Sequence, residues 1–191
     1  MRPSVLAAPF LWLLSTCCLL QAAPPDVKWV FPSGGQIGQK VSVKVSGKIN
    51  QPGTQVWCNS PAVVFEIPEK DNELFISTSV DARPGLYWLR FFNAQGATAQ
   101  MPFVLGRLPE VVEAEPNNEV AKAQAIDQSS VINAKLGAAN DVDVYAVTLK
   151  KGQTLVAQVA ANWRLGFPVD PIMQVLTVNG TVLEQVDDDH G

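Results

Sequence analysis

The chain has 191 residues, 47% of them hydrophobic and 17% charged, with a net charge of −4. That composition belongs to a globular protein with room for one or two cores and excludes a disordered or collagen-like chain. Its acidic balance repels nucleic acid and anionic lipid.

Arg2 precedes an apolar run over 5–20, then Gln21-Ala22-Ala23 and the breaker Pro24-Pro25. A basic start, a short apolar run and small residues before a break define a secretory signal peptide over 1–23. The run is short for a bilayer span and is interrupted by Pro9. The expectation is a secreted or cell-surface protein with no membrane span after processing. Leu14-Ser15-Thr16-Cys17 loosely resembles a bacterial lipoprotein box, which keeps lipidation at Cys17 as an alternative. Removing the leader takes Arg2, Cys17 and Cys18 with it, leaving 13 basic against 18 acidic residues and Cys58 as the single cysteine. Cys58 then has no disulfide partner in the chain; it is either a small core hydrophobe or a thiol for a partner elsewhere.

Residues 27–31 read as a short apolar strand, followed by Pro32-Ser33-Gly34-Gly35-Gln36-Ile37-Gly38 as a glycine-rich connection. A phosphate loop is the rival reading. This stretch lacks a Gly-Lys-Ser/Thr ending and leads into Val41, Val43 and Val45 alternating with Ser42, Lys44 and Ser46, a strand rather than a helix. Further strands are expected at 54–58, 62–67, 74–80, 86–92 and 97–105, separated by Pro-Gly, Asp-Asn, Arg-Pro-Gly and Ala-Gln-Gly breaks. Short strands at such spacing predict a β-sandwich over 24–107. Trp29, Trp57, Tyr87, Trp88, Phe91 and Phe92 raise the question of sugar stacking, although core packing is their usual fate. The run 87–92 places aromatics on both faces of one strand, so some of them meet solvent or a neighbouring domain.

Gly106 to Glu110 marks a boundary, and Val111-Val112 opens the next strand. Glu113-Ala114-Glu115-Pro116-Asn117-Asn118 follows, then an Ala-rich segment over 120–125, a strand over 131–136, and Asn140-Asp141-Val142-Asp143-Val144-Tyr145. Tyr145, Val147 and Leu149 alternate before a Lys-Gly turn, 155–160 returns as a strand, and Asn179-Gly180 between apolar pairs is a hairpin signal. Asn179-Gly180-Thr181 is also formally a glycosylation sequon, relevant in a eukaryotic host.

Two resemblances follow from these motifs. Phe31-Pro32-Ser33-Gly34-Gly35 and Arg83-Pro84-Gly85-Leu86-Tyr87-Trp88, with Met101 to Leu105 as closing strand, resemble bacterial immunoglobulin-like modules of the IPT/TIG type. The succession from Glu113 to Tyr145, then Lys151-Gly152, Asp170-Pro171, Asn179-Gly180 and Asp187-Asp188-Asp189, is similar to the bacterial pre-peptidase C-terminal domain, a β-sandwich carried by secreted peptidases and other exported proteins. The resemblance implies an all-β fold of two consecutive sandwiches, 24–107 and 108–191. It further implies that the second is incomplete, because in the family more strands follow the acidic loop.

The same resemblance implies calcium. Carried over by position, Glu113, Glu115, Asn117 and Asn118 are ligands from the linker, and Asn140, Asp141 and Asp143 come from the second segment. The chain departs from the family's pattern in having Asn at 118, often Asp there, and acids two apart at 141 and 143 rather than three. In a strand that spacing still puts both carboxylates on one side. The rival reading is a turn in which Asn117 or Asn118 caps the segment 120–125 while the glutamates are solvated. Asp187 to Asp189 is a second acidic candidate.

A nucleophilic triad needs a base, and the one histidine is His190. With one His and one cysteine left in the processed chain, a catalytic zinc site lacks ligands. The sequence therefore reads as a pair of non-catalytic modules, with an extracellular protein or polysaccharide as the partner class. The alternative is the accessory region of a secreted peptidase or other hydrolase whose catalytic domain lies outside these residues.

Overall fold

The structure, a computed structural model, describes residues 23–69, 72–127, 129–161 and 165–187. The expected leader and Cys17 lie outside the described residues, as do Asp188, Asp189 and His190. The fold is nearly all β, and Val120–Lys122 forms a 3-10 turn.

Nine strands precede residue 107: β1 (Val30–Phe31), β2 (Gly34–Gln36), β3 (Lys40–Val45), β4 (Gln55–Cys58), β5 (Val63–Glu66), β6 (Glu73–Thr78), β7 (Gly85–Asn93), β8 (Gly96–Ala97) and β9 (Met101–Gly106). They form two sheets, one ordered β1-β3-β6-β5 and the other β2-β9-β7-β4, with β8 also on β7. Alternation decides which side chains go inside. Val43 and Val45 of β3, Leu74 and Ile76 of β6, Tyr87, Leu89 and Phe91 of β7, and Phe103 and Leu105 of β9 join one buried cluster fed by both sheets. Its members are nearly all apolar, so their removal from water drives this half of the fold. The Tyr87 hydroxyl is kept satisfied by donating to the Arg83 carbonyl at 2.8 Å. Cys58 packs against the same cluster, and burial pushes its thiol pKa up.

The glycine-rich stretch after β1 is more than a connection. Its residues 34–36 run parallel to β9, Gly34 opposite Val104 and Gln36 opposite Gly106. A side chain at position 34 would place its Cβ 2.8 Å from the Val104 carbonyl oxygen, so glycine is what lets the two backbones meet. The turn into β3 closes through Gln39 N–H to the Gln36 carbonyl at 3.1 Å, with Gly38 at φ +78°. A left-handed third residue is what a type II turn demands.

The single strand expected over 97–105 carries a bulge. Phe92 faces Ala97 and Leu89 faces Met101, so four steps on one strand oppose three on the other. Thr98 occupies the irregularity: its N–H reaches the Phe91 carbonyl at 2.9 Å, and its hydroxyl oxygen accepts from Phe91 N–H at 3.2 Å.

From residue 110 onward the pairing is different. β10 (Glu110–Val112) runs parallel to β12 (Val131–Asn133), and β11 (Gln124–Ile126) runs parallel to β13 (Tyr145–Val147). β14 (Met173–Leu176) and β15 (Val182–Val186) form the expected antiparallel hairpin, turned by Gly180 at φ +80°. Among the described residues each ladder has two strands, and the buried apolar cluster contains no residue beyond Leu105. The strand expected over 155–160 is not formed; the stretch is exposed, with Val156 87% accessible. Alternating apolar residues become a strand only when a neighbour supplies backbone partners, and among the described residues no strand pairs with this stretch.

The two halves meet beside β1. The Lys135 ammonium sits 3.9 Å from the Phe31 ring centre and 4.5 Å from that of Trp29.

Candidate metal centre

The loop after β10 is built by main-chain bonds at both ends. Glu113 N–H continues the β10–β12 ladder to the Asn133 carbonyl at 3.0 Å, and the Asn117 carbonyl accepts from Val144 N–H at 3.0 Å. Val144 in turn accepts from Gln124 N–H at 2.9 Å, which lays residues 141–145 against the loop 113–118. The Gln124 side chain ties the near side by accepting from Ala114 N–H at 2.8 Å and donating to the Val112 carbonyl at 3.2 Å.

Within this frame Glu115, Asp141 and Asp143 each present a carboxylate oxygen within 4.8 Å of the other two. Glu115 is held by Asn117 N–H at 2.9 Å. Asp141 is fixed from three directions, by the Asn118 amide at 2.8 Å, Gly137 N–H at 2.6 Å and Val142 N–H at 3.2 Å. Asp143 differs, for its Oδ1 is out of solvent with no hydrogen-bond partner. The acids at 141 and 143 do not share a strand face, since 141–144 is irregular and Asn140 turns into it at φ +64°.

Asn117 is the one fully buried polar side chain among the described residues, and both ends of its amide lack a hydrogen-bond partner. It does not cap the segment that follows. The turn at Val120–Lys122 is preceded by Glu119 in extended conformation with no side-chain cap, and Glu119 instead pairs with Lys122 at 2.9 Å. The capping alternative is therefore wrong for both asparagines. A buried amide left unpaired costs about 1–3 kcal/mol, which a bound water or ion beside it would relieve.

Of the seven positions singled out in the sequence, three converge as carboxylates and two support them. Asn118 reaches the cluster through its nitrogen, as a donor to Asp141. Glu113 stands beside it, its oxygens taken by Lys135 N–H at 2.6 Å and, at a long 3.5 Å, by the Tyr145 hydroxyl. Asn140 is exposed and serves the turn. Gly137, Lys135 and Tyr145 were not anticipated. The signal for Gly137 was its place four residues before Asp141, where a Cβ would sit 3.3 Å from the carboxylate it binds.

The charges oppose one another. Burial is the largest cause holding Asp143 above the usual carboxylate range, with the charges of Asp141 and Glu115 adding to it. Glu113 is raised by burial too, partly offset by the Lys135 N–H and reinforced by Asp143, Glu115 and Asp141. Burial, then the charges of Asp143 and Glu113, push the Tyr145 hydroxyl far up. The Asn117 amide, close to that hydroxyl but outside hydrogen-bond geometry, pulls weakly the other way. The Lys135 ammonium lies against the aromatic rings and is drawn electrostatically to Glu113.

The donor set fits a hard cation. Three carboxylate oxygens gathered within 4.8 Å of one another are the kind of donor set that calcium takes, with oxygen ligands at about 2.3–2.6 Å.

No family model matches the chain, and no curated protein matches it.

Proposed function

We propose that this chain is a pair of non-catalytic modules from an exported protein, and that calcium held by the second module stabilises it. In this reading 1–23 is the leader, 24–107 is an immunoglobulin-like module of the IPT/TIG type, and 108–191 is a pre-peptidase C-terminal module. The observation that carries it is the convergence of Glu115, Asp141 and Asp143 beside a buried Asn117 with no partner. Three carboxylates supply the charge, the Asn117 oxygen is a fourth donor, and water completes the six to eight oxygens that calcium takes. The ion offsets a repulsion that the fold otherwise carries unrelieved. It also joins the loop 113–118 to the segment 141–145 in a half that has no buried apolar cluster of its own among the described residues, and so takes the place that a core has elsewhere.

The test is calorimetric titration of the purified, chelator-treated chain with calcium, paired with thermal unfolding in calcium and in chelator. One equivalent should bind, and Glu115→Gln, which keeps shape and removes one charge, should weaken binding at least tenfold. Identical melting with and without calcium, or full affinity in the Glu115→Gln variant, refutes the metal reading.

A further inference from the structure

The face of the second sheet turned away from the core carries an aromatic group with no assigned role. On β7, Trp88, Arg90 and Phe92 point to this side, opposite to Tyr87, Leu89 and Phe91 of the core. On the neighbouring edge strand β4, Trp57 stands directly across from Arg90 and is 43% exposed. Cross-strand partners lie about 5 Å apart and same-face neighbours along a strand about 7 Å apart. Trp57, Trp88 and Phe92 are therefore the register neighbours of Arg90 on this face. The other aromatics raised by the sequence are otherwise engaged: Tyr87 and Phe91 are in the core, and Trp29 lies under Lys135.

Arg90 is the telling member. It is half-buried, its Nε is out of solvent with no acceptor, and no carboxylate pairs with it among the described residues. A guanidinium offers a planar fork of donors suited to a carboxylate, and a donor left buried and unpaired is costly. The ring surfaces beside it are apolar and flat. Together they suit a ligand with a ring-shaped apolar face and an attached anionic group.

Size separates the classes of partner. A buried aromatic side chain covers about 150–250 Å², so three rings exposed by less than half offer at most about 300 Å². A stable protein partner needs about 800 Å² on each side. We infer that the outward face of β4 and β7 is a subsite for an acidic saccharide, with Trp57 and Trp88 stacking on pyranose rings and Arg90 gripping a uronate carboxylate. It uses none of the residues of the acidic cluster, so it does not rest on the calcium reading.

The experiment measures binding of hexameric galacturonate to the purified chain by tryptophan fluorescence and calorimetry. It is run in chelator, so that calcium bridging by the saccharide plays no part. A neutral maltohexaose and a glutamate hexapeptide are titrated beside it. Galacturonate should bind; Arg90→Gln and Trp57→Ala should each weaken it at least tenfold with an unchanged circular dichroism spectrum, since both side chains lie outside the core; maltohexaose should bind at least tenfold more weakly. The inference is overturned if galacturonate does not bind, if the Arg90→Gln variant binds it as well as the parent does, or if maltohexaose binds as tightly. Equal or tighter binding of the glutamate peptide overturns it in favour of an acidic protein partner.

Discussion

Asp143→Asn keeps the shape of the side chain and removes one of three charges that repel one another. At the 4.8 Å outer limit of the cluster, a like-charge pair costs about 0.9 kcal/mol in a medium as polar as water. Asp143 faces two such charges, Asp141 and Glu115. After screening by salt, the relief on removing its charge is on the order of 1 kcal/mol. In chelator the variant should therefore melt higher than the parent, by about 4–8 °C for a unit of this size. Calcium reverses the order. At a hundredfold excess over its dissociation constant the ion adds about 2.7 kcal/mol to the parent, and the variant, short of one ligand charge, gains only a fraction of that. Calorimetric unfolding of parent and variant, each in chelator and in calcium, should show the two crossing. Lower stability of the variant in chelator would mean that the Asp143 charge is favourably engaged, and an undiminished calcium increment would place the ion elsewhere.

Three further outcomes follow from the same geometry. Glu113 and Asp143 both have raised folded-state pKa values, so the folded chain holds their protons more tightly than the unfolded one. In chelator, the stability that this confers is complete below the ordinary carboxylate range and is lost as pH rises through the raised values. Urea midpoints should fall across that window in chelator and rise across it in calcium, because the metal competes with the proton. Lys135→Met keeps the apolar stem and loses the ammonium over Phe31 and Trp29, at a cost of about 1 kcal/mol. A double-mutant cycle with Phe31→Leu should give a coupling of about 0.5–1 kcal/mol, and zero coupling removes the contact from the account. Limited thermolysis in chelator, followed by mass spectrometry, should cut first in the exposed stretch around Val156 and leave the β1–β9 half whole. A first cut within that half contradicts the placement of the core.

The all-β character and the inward residues of the first half were legible because both depend on neighbours two apart along the chain. Val43 and Val45, or Leu89 and Phe91, alternate with polar or exposed positions, and the pleat alone sends them to one side. The β14–β15 hairpin was legible for a similar reason, since Asn179-Gly180 supplies the left-handed turn locally. The same local rule misled at 155–160, where an apolar alternation exists but no strand comes to pair with it.

Tertiary structure decided whatever depends on register between distant segments. The pairing of Gly34–Gln36 with β9 joins residues about 70 apart and makes a strand of what reads as a turn. The acids were visible as acids, yet their order in the chain did not say that Glu115 meets Asp141 and Asp143 while Glu113 is diverted to Lys135 and Tyr145. Nor did it say that Asn117, polar and beside a proline, is the residue that burial removes from water. Composition and alternation act through nearest neighbours and so determine strand character and which side faces in. The site is set by which backbone groups across the fold find one another, and no local pattern carries that information.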